Sequence, residues 1–313
     1  MQPKPEDYEY ELDQALGAVV GIRAIIPADA FTAEILGTER LGHGVLIRKD
    51  GIVLTIGYLI TEAETVWISL ADGKTVPGHV LGYDQETGFG LVQALARLDV
   101  AALPLGRSSE AEVGERVVVA GAGGRKLSVA ARIIAKQEFS GYWEYVLDEA
   151  IFTAPAHPNW GGTALIGSRG ELLGIGSLQI QQVVSNQPGE DVNMIVPIDL
   201  LKPIFEDMLT IGRPNRPSRP WLGLYATEIG NSVVVLGLAS RGPAQDAGLK
   251  AGDVVLRAGG TAVSTLAGLF RRVWSLGSAG VDVPLTINRE GKTFEVTLRS
   301  SDRRRYLKGP VLH

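Results

Sequence analysis

The chain has 313 residues, 45% hydrophobic and 21% charged, with a net charge of −5; this composition excludes disorder as its main state and provides length for about two domains. Cysteine is absent, which rules out disulfides, thiolate metal sites, iron–sulfur clusters and a cysteine nucleophile. Thirty-nine glycines without a G-X-Y period exclude collagen and, beside many β-branched residues, point to short strands and tight turns.

The N-terminal segment, 1–16, is acidic and polar, with no basic stretch leading into an apolar run. As written it carries no secretory signal, so the expectation is a cytoplasmic protein, or a periplasmic one if a leader has been removed. The apolar run 15–26 is broken by Arg23 and is too short to span a bilayer. From there the pattern is β. Apolar runs at 45–47 and 52–54 flank Asp50-Gly51, a hairpin signal. Alternation at 65–70 ends in Asp72-Gly73, and further strands are expected at 116–120, 129–136, 144–152, 164–166, 172–177 and 194–196. Ile198, Leu201, Ile204, Phe205 and Met208 share a helical face over 197–210, with Pro203 placed to bend or restart the helix.

Residues 212–220 contain three prolines and read as an extended linker. Beyond it come strands at 222–226 and 232–236, a short helix at 243–247, a strand at 253–257, a helix at 265–276 and a hairpin around Glu290-Gly291. This is the pattern of a small α+β domain. The expected division is 1–16, a β domain 17–211, the linker 212–220, an α+β domain 221–300 and a basic tail 301–313. Charge divides with it: residues 1–212 carry −13 and residues 213–313 carry +8. That split reads as two solvated or mutually attracting halves, with an anionic surface for the basic half as a lesser reading and no nucleic-acid partner expected.

The segments GHGVLIRKDGIVLTIGYLI (42–60), ADGKTVPGHVLGYDQETGFGLVQA (71–94), HPNWGGTALIGSRGELLGIGSL (157–178), WLGLYA (221–226) and GPAQDAGLKAGDVVLRAGGTAV (242–263) occur in an order and spacing that resembles the HtrA/Deg-type proteins. The resemblance covers about residues 40–300. It implies a mainly β fold, a trypsin-like double β-barrel followed by a small α+β PDZ domain. It also implies where a catalytic triad would stand, and there the chain departs from the family. The T-N-x-H segment is Thr55-Ile56-Gly57-Tyr58, so Tyr58 replaces the histidine. The T-D-L-A-V segment is 87–91, with Gly88 for the aspartate. The nucleophile segment is 157–165, with Gly161 at the serine position and the bulky Trp160 beside it, or Trp160 at that position if the match shifts by one; neither has an aliphatic hydroxyl.

A triad needs a nucleophile, a base and a carboxylate to orient the base. Glycine supplies none of these, and tyrosine, with a pKa near 10, is a poor base at neutral pH. The expectation is therefore a pseudoprotease, with an active serine endopeptidase using rearranged residues as the alternative. A displaced pair of His157 and Thr163 is one such rearrangement, against a His157 that simply bonds within its loop. The histidines (43, 79, 157 and 313) show no ligand spacing, so no metal is expected, and nothing calls for a cofactor. Tyr58 and Trp160 would face the former cleft and either plug it or pack in the barrel interface.

The remaining site is the PDZ-like module. The resemblance places its carboxylate-binding loop at Trp221, Leu222, Gly223 and Leu224, beside a strand edge that pairs with a peptide. Leu269, Val273 and Leu276, on one helix face, either line the groove or belong to the core. The implied partners are peptide or protein C-termini and unfolded polypeptide, in a scaffold, regulatory or chaperone-like role. A homo-oligomer fits the resemblance, although 1–16 does not match the family's trimerising segment.

Overall fold

The computed structural model describes residues 2–182 and 189–309; His313 and the end of the basic tail, 310–313, lie outside the described residues. The chain divides into two compact units. One comprises 1–137, 149–215 and 308–313, the other 138–148 and 216–307.

The first unit holds two closed six-stranded barrels. The first barrel is built from β1 (Val19–Ile25), β2 (Glu39–Leu46), β3 (Ile52–Ile56), β4 (Thr65–Ser69), β5 (Thr75–Tyr83) and β6 (Phe89–Ala94), in the order β1-β2-β3-β6-β5-β4. The second uses β7 (Arg116–Ala120), β8 (Ser128–Gly141), β9 (Tyr145–Ala154), β10 (Ala164–Ile166), β11 (Leu172–Gln182) and β12 (Glu190–Pro197), in the order β10-β11-β12-β9-β8-β7. Closure removes the free edges that an open sheet of this apolarity would expose. Alternation packs each barrel. In the second, Val117, Val119, Ile133, Ile151, Leu165 and Ile195 point inward and form one buried cluster.

The Asp50-Gly51 turn joins β2 to β3 as expected, with Gly51 at φ +92°, a conformation that costs an L side chain strain. The helix expected over 197–210 is shorter. A 3₁₀ turn at Ile198–Leu200 comes first, and the regular helix, Phe205–Ile211, starts only after Pro203. Proline has no N–H to extend a preceding turn.

The second unit contains a sheet of β13 (Leu224–Ile229), β14 (Ser232–Leu238), β15 (Val254–Ala258), β17 (Asp282–Arg289) and β18 (Lys292–Arg299) in that order, with β16 (Thr261–Ala262) paired to β15. The Leu266–Trp274 helix packs on it, starting at Thr265, whose hydroxyl accepts the Gly268 N–H as an N-cap. The helix ends before Leu276, two residues short of the expected span. Leu269, Phe270 and Val273 are buried to about 1% exposure or less in the core with Leu222, Leu224, Val255, Leu285 and Ile287. Of the three residues considered for the groove wall, Leu269 and Val273 are buried in this cluster, which also takes in Val146, and Leu276 packs at its margin beside Gly259. The apolar helix face thus meets both the sheet and a side chain of the 138–148 segment.

Candidate functional site

Two sites follow from the fold, one in each unit. In the first, the structure brings together Tyr58, Gly88 and Gly161, the three positions matched to the triad segments in the sequence. Tyr58 lies on a single helical turn, Gly57–Ile60, that leaves β3 directly. Its hydroxyl donates to the Ser177 carbonyl at 2.9 Å. A Cβ added to Gly161 would stand 2.7 Å from that same hydroxyl oxygen. Gly57 donates its N–H to the Gly88 carbonyl at 2.6 Å, which places Gly88 under the same turn. Gly88 itself has φ +85°. Burial pushes the Tyr58 phenol well above its ordinary value, with a hydrogen bond from Trp160 acting the other way, so it stays protonated and acts as a donor. Trp160 is half-buried, and its carbonyl accepts the Thr163 hydroxyl at 2.9 Å.

His157 is buried and bonded within its surroundings. Its N–H donates to Asn193, its Nε2 lies 3.0 Å from the Leu127 carbonyl, and its Nδ1 accepts the Asn159 N–H at 3.1 Å. With both ring nitrogens engaged by main chain and the Thr163 hydroxyl turned to Trp160, the two residues do not form a base–nucleophile pair. Beside it is His43, whose ring centroid is 5.8 Å from that of His157. Its Nδ1 accepts the Ala122 N–H, and its Nε2 is buried without a partner. Burial first, then the neighbouring His157, pull His43 down to about 4, so it is neutral near pH 7. His79 is exposed on β5. Among the described residues no group of three or more His, Asp or Glu side chains is arranged to hold a metal.

The second site is the loop at the start of β13. Trp221 does not join it as a donor: its N–H pairs with the Ser301 carbonyl, and its ring packs against Tyr306. The next three residues do present their N–H groups together, because Gly223 takes φ +74° and turns the chain there. These amides converge on one carboxylate, that of Glu144. Leu222 donates to both oxygens at 3.1 and 3.0 Å, Gly223 at 2.7 Å and Leu224 at 3.0 Å. Glu144 was no candidate from the sequence, where it reads only as the first residue of a strand. The available signal was the aromatic cluster around it, Phe139, Tyr142, Trp143 and Tyr145, at what should be a solvent-facing hairpin tip.

Two antiparallel barrels and a six-stranded PDZ-type sheet define the class, a trypsin-like protein followed by a PDZ domain. The trypsin-like peptidase domain family matches residues 42–175, and the PDZ domain family matches residues 220–299. The chain belongs to the HtrA-type family. It is similar to the serine protease Do-like HtrA of Lactobacillus helveticus, 26% identical over 294 residues, covering 84% of this chain and 69% of that protein. A probable periplasmic serine endoprotease DegP-like of Pseudomonas fluorescens is 28% identical over 274 residues, covering 83% and 56%. The serine endoprotease DegS of Haemophilus influenzae is 28% identical over 248 residues, covering 77% and 72%. The chain thus spans little more than half the length of the DegP-like relative. Among solved structures, the HtrA-type protease AlgW with decapeptide has the same fold at TM-score 0.54 and 20% identity, covering 96% and 100% of the two chains. The serine endoprotease from Yersinia pestis does so at TM-score 0.52 and 21% identity, covering 94% and 98%. No helix among the described residues is long and apolar enough to cross a membrane.

Proposed function

We propose that this chain is a catalytically inactive HtrA-type protein that binds polypeptide C-termini through its PDZ domain. The observation that carries the inactive reading is the Tyr58 hydroxyl 2.7 Å from the Cβ position of Gly161. The space a nucleophile would use holds a phenol instead. Residues 58, 88 and 161 provide no imidazole, carboxylate or hydroxyl in the three triad roles, a loss that costs on the order of 10⁶ in kcat in a serine protease. In proteases of this fold one oxyanion donor is the amide two residues before the nucleophile. Here that amide is Asn159, and it donates to His157. The binding reading rests on the three converging amides of 222–224 and on the outer edge of β13, the arrangement that captures a chain terminus and adds it as a strand.

The relatives' names favour the other reading, an active serine-type endopeptidase with a rearranged site, because each is called a protease. The name of the DegP-like relative also supports a periplasmic location over a cytoplasmic one. A homo-oligomer remains part of the proposal. Incubation with unfolded casein and with a fluorophosphonate probe separates the readings. The expected result is no cleavage above buffer and no label. Labelling that disappears in Thr163→Ala or His157→Ala would establish the active alternative.

A further inference from the structure

The second unit includes a piece of chain that the sequence assigns elsewhere. Residues 138–148, where β8 turns into β9, belong with 216–307 rather than with the barrel whose strands they continue. Their contacts follow a pattern. The Glu144 carboxylate sits on the amides of Leu222, Gly223 and Leu224. Two residues earlier, the Tyr142 carbonyl accepts the Ala226 N–H at 3.0 Å, so the hairpin pairs with the outer edge of β13. Two residues later, Val146 is 8% exposed and buried in the same apolar cluster as Leu222, Leu224, Leu269, Phe270 and Val273. At the rim Arg271 forms ion pairs with both Glu138 and Asp148.

Carboxylate capture by loop amides, strand addition through a main-chain carbonyl and an apolar side chain in a pocket are the three components of C-terminal peptide recognition. Here one internal segment supplies all three. Its carboxylate is a side chain, which lets the chain run on past the loop. The backbone makes room by taking φ +61° at Glu144, a conformation that a non-glycine residue adopts only where surrounding contacts hold it.

We propose that the 138–148 hairpin is a built-in ligand of the PDZ groove, and that a free C-terminus enters only by displacing it. This rests on the peptide-binding reading above. It adds that the unliganded groove is occupied, by a segment that carries β8 into β9. Apparent affinity for an added peptide is then lower than the intrinsic affinity by the fraction of molecules whose hairpin is undocked.

The test uses the full chain, a fluorescent heptapeptide ending in a free valine, and its C-terminal amide. Glu144→Gly removes the carboxylate and suits the positive φ, so it asks for no new strain. Arg271→Ala loosens the same hairpin from the rim without touching the core. Anisotropy should show the free-acid peptide binding Glu144→Gly about tenfold or more tighter than the unaltered chain. Arg271→Ala should gain about two- to fivefold, because exposed ion pairs are weak. Without peptide, the amides of 222–226 should exchange with solvent slowly in the unaltered chain and faster in Glu144→Gly. Equal affinities in all three proteins with unchanged exchange would overturn the built-in ligand while leaving C-terminal binding intact. Faster exchange in Glu144→Gly with no peptide binding in any protein would instead keep the docked hairpin and sink the C-terminus reading.

Discussion

The phenol oxygen of Tyr58 and the Cα of Gly161 are matched so closely that no side chain fits between them: a Cβ on residue 161 would lie 2.7 Å from that oxygen. Installing a serine at 161 alone therefore pushes Tyr58 off the Ser177 carbonyl. Gly161→Ser should cost about 1–3 kcal/mol in urea denaturation, from overpacking and the lost hydrogen bond. Adding Tyr58→His should recover much of it. A neutral Gly161→Ser would mean that Tyr58 is free to move.

Rebuilding the triad asks more of residue 88. Gly88 has φ +85°, and an L-aspartate there costs about 1–2 kcal/mol of backbone strain. The triple variant Tyr58→His, Gly88→Asp, Gly161→Ser should be less stable than the unaltered chain and hydrolyse casein far more slowly than an active relative. The Asn159 amide would still be directed at His157 rather than toward a developing oxyanion. Activity equal to a relative's would show that the loop rearranges readily.

Leu269 discriminates core from groove. Its side chain is fully buried, so Leu269→Ala should lower the unfolding free energy of the PDZ domain by about 2–5 kcal/mol. A variant of unchanged stability and altered peptide preference would make Leu269 a groove-wall residue without a core role.

Gly223→Val should abolish peptide binding and also reduce stability. The position has φ +74°, and a Cβ would sit 3.2 Å from both the Ala239 Cβ and the Trp221 ring. A β-branched residue forced out of that conformation re-aims the three amides. Retained affinity, measured by the same anisotropy titration, would mean that the loop does not capture the carboxylate.

Docking of the 138–148 hairpin should depend on pH through Glu144. Burial pushes its carboxyl from the ordinary 4.5 up to about 7, while the amides of Leu222, Leu224 and Gly223 and the charge of Arg303 act the other way. Arg271, Glu138, Asp148 and Glu228, whose carboxylate accepts the Leu266 N–H, are further charged groups on these elements. A value raised on docking means that docking is strongest below about 4.5 and is lost as pH rises through 7. Without peptide, and with intrinsic exchange rates divided out, protection of the 222–224 amides should therefore fall between pH 5.5 and 7.5, by at most about twentyfold, with no such fall in Glu144→Gly. The opposite slope in the unaltered chain would exclude Glu144 as the titrating group.

Much of this protein is determined locally. The β2–β3 hairpin was legible because Asp50-Gly51 sits between two apolar runs, and the PDZ helix because Leu269, Val273 and Leu276 are spaced on one face. The residues at the three segments matched to a triad could be read one by one, since the side chains of Tyr58, Gly88 and Gly161 are the same wherever the chain places them. What only the tertiary structure decided is where distant pieces meet. Sequence spacing could not tell a groove wall from a core, because an apolar stripe serves both; the fold puts Leu269 and Val273 in the cluster that also takes in Val146. Nor could it place Tyr58 over Gly161, more than a hundred residues away. The docked hairpin was least visible of all. Glu144 and the 222–224 loop are separated by 78 to 80 residues, and the loop contributes only backbone N–H groups. Such groups are present at every residue but proline, so their convergence leaves no mark in the sequence until the fold has turned them toward one carboxylate.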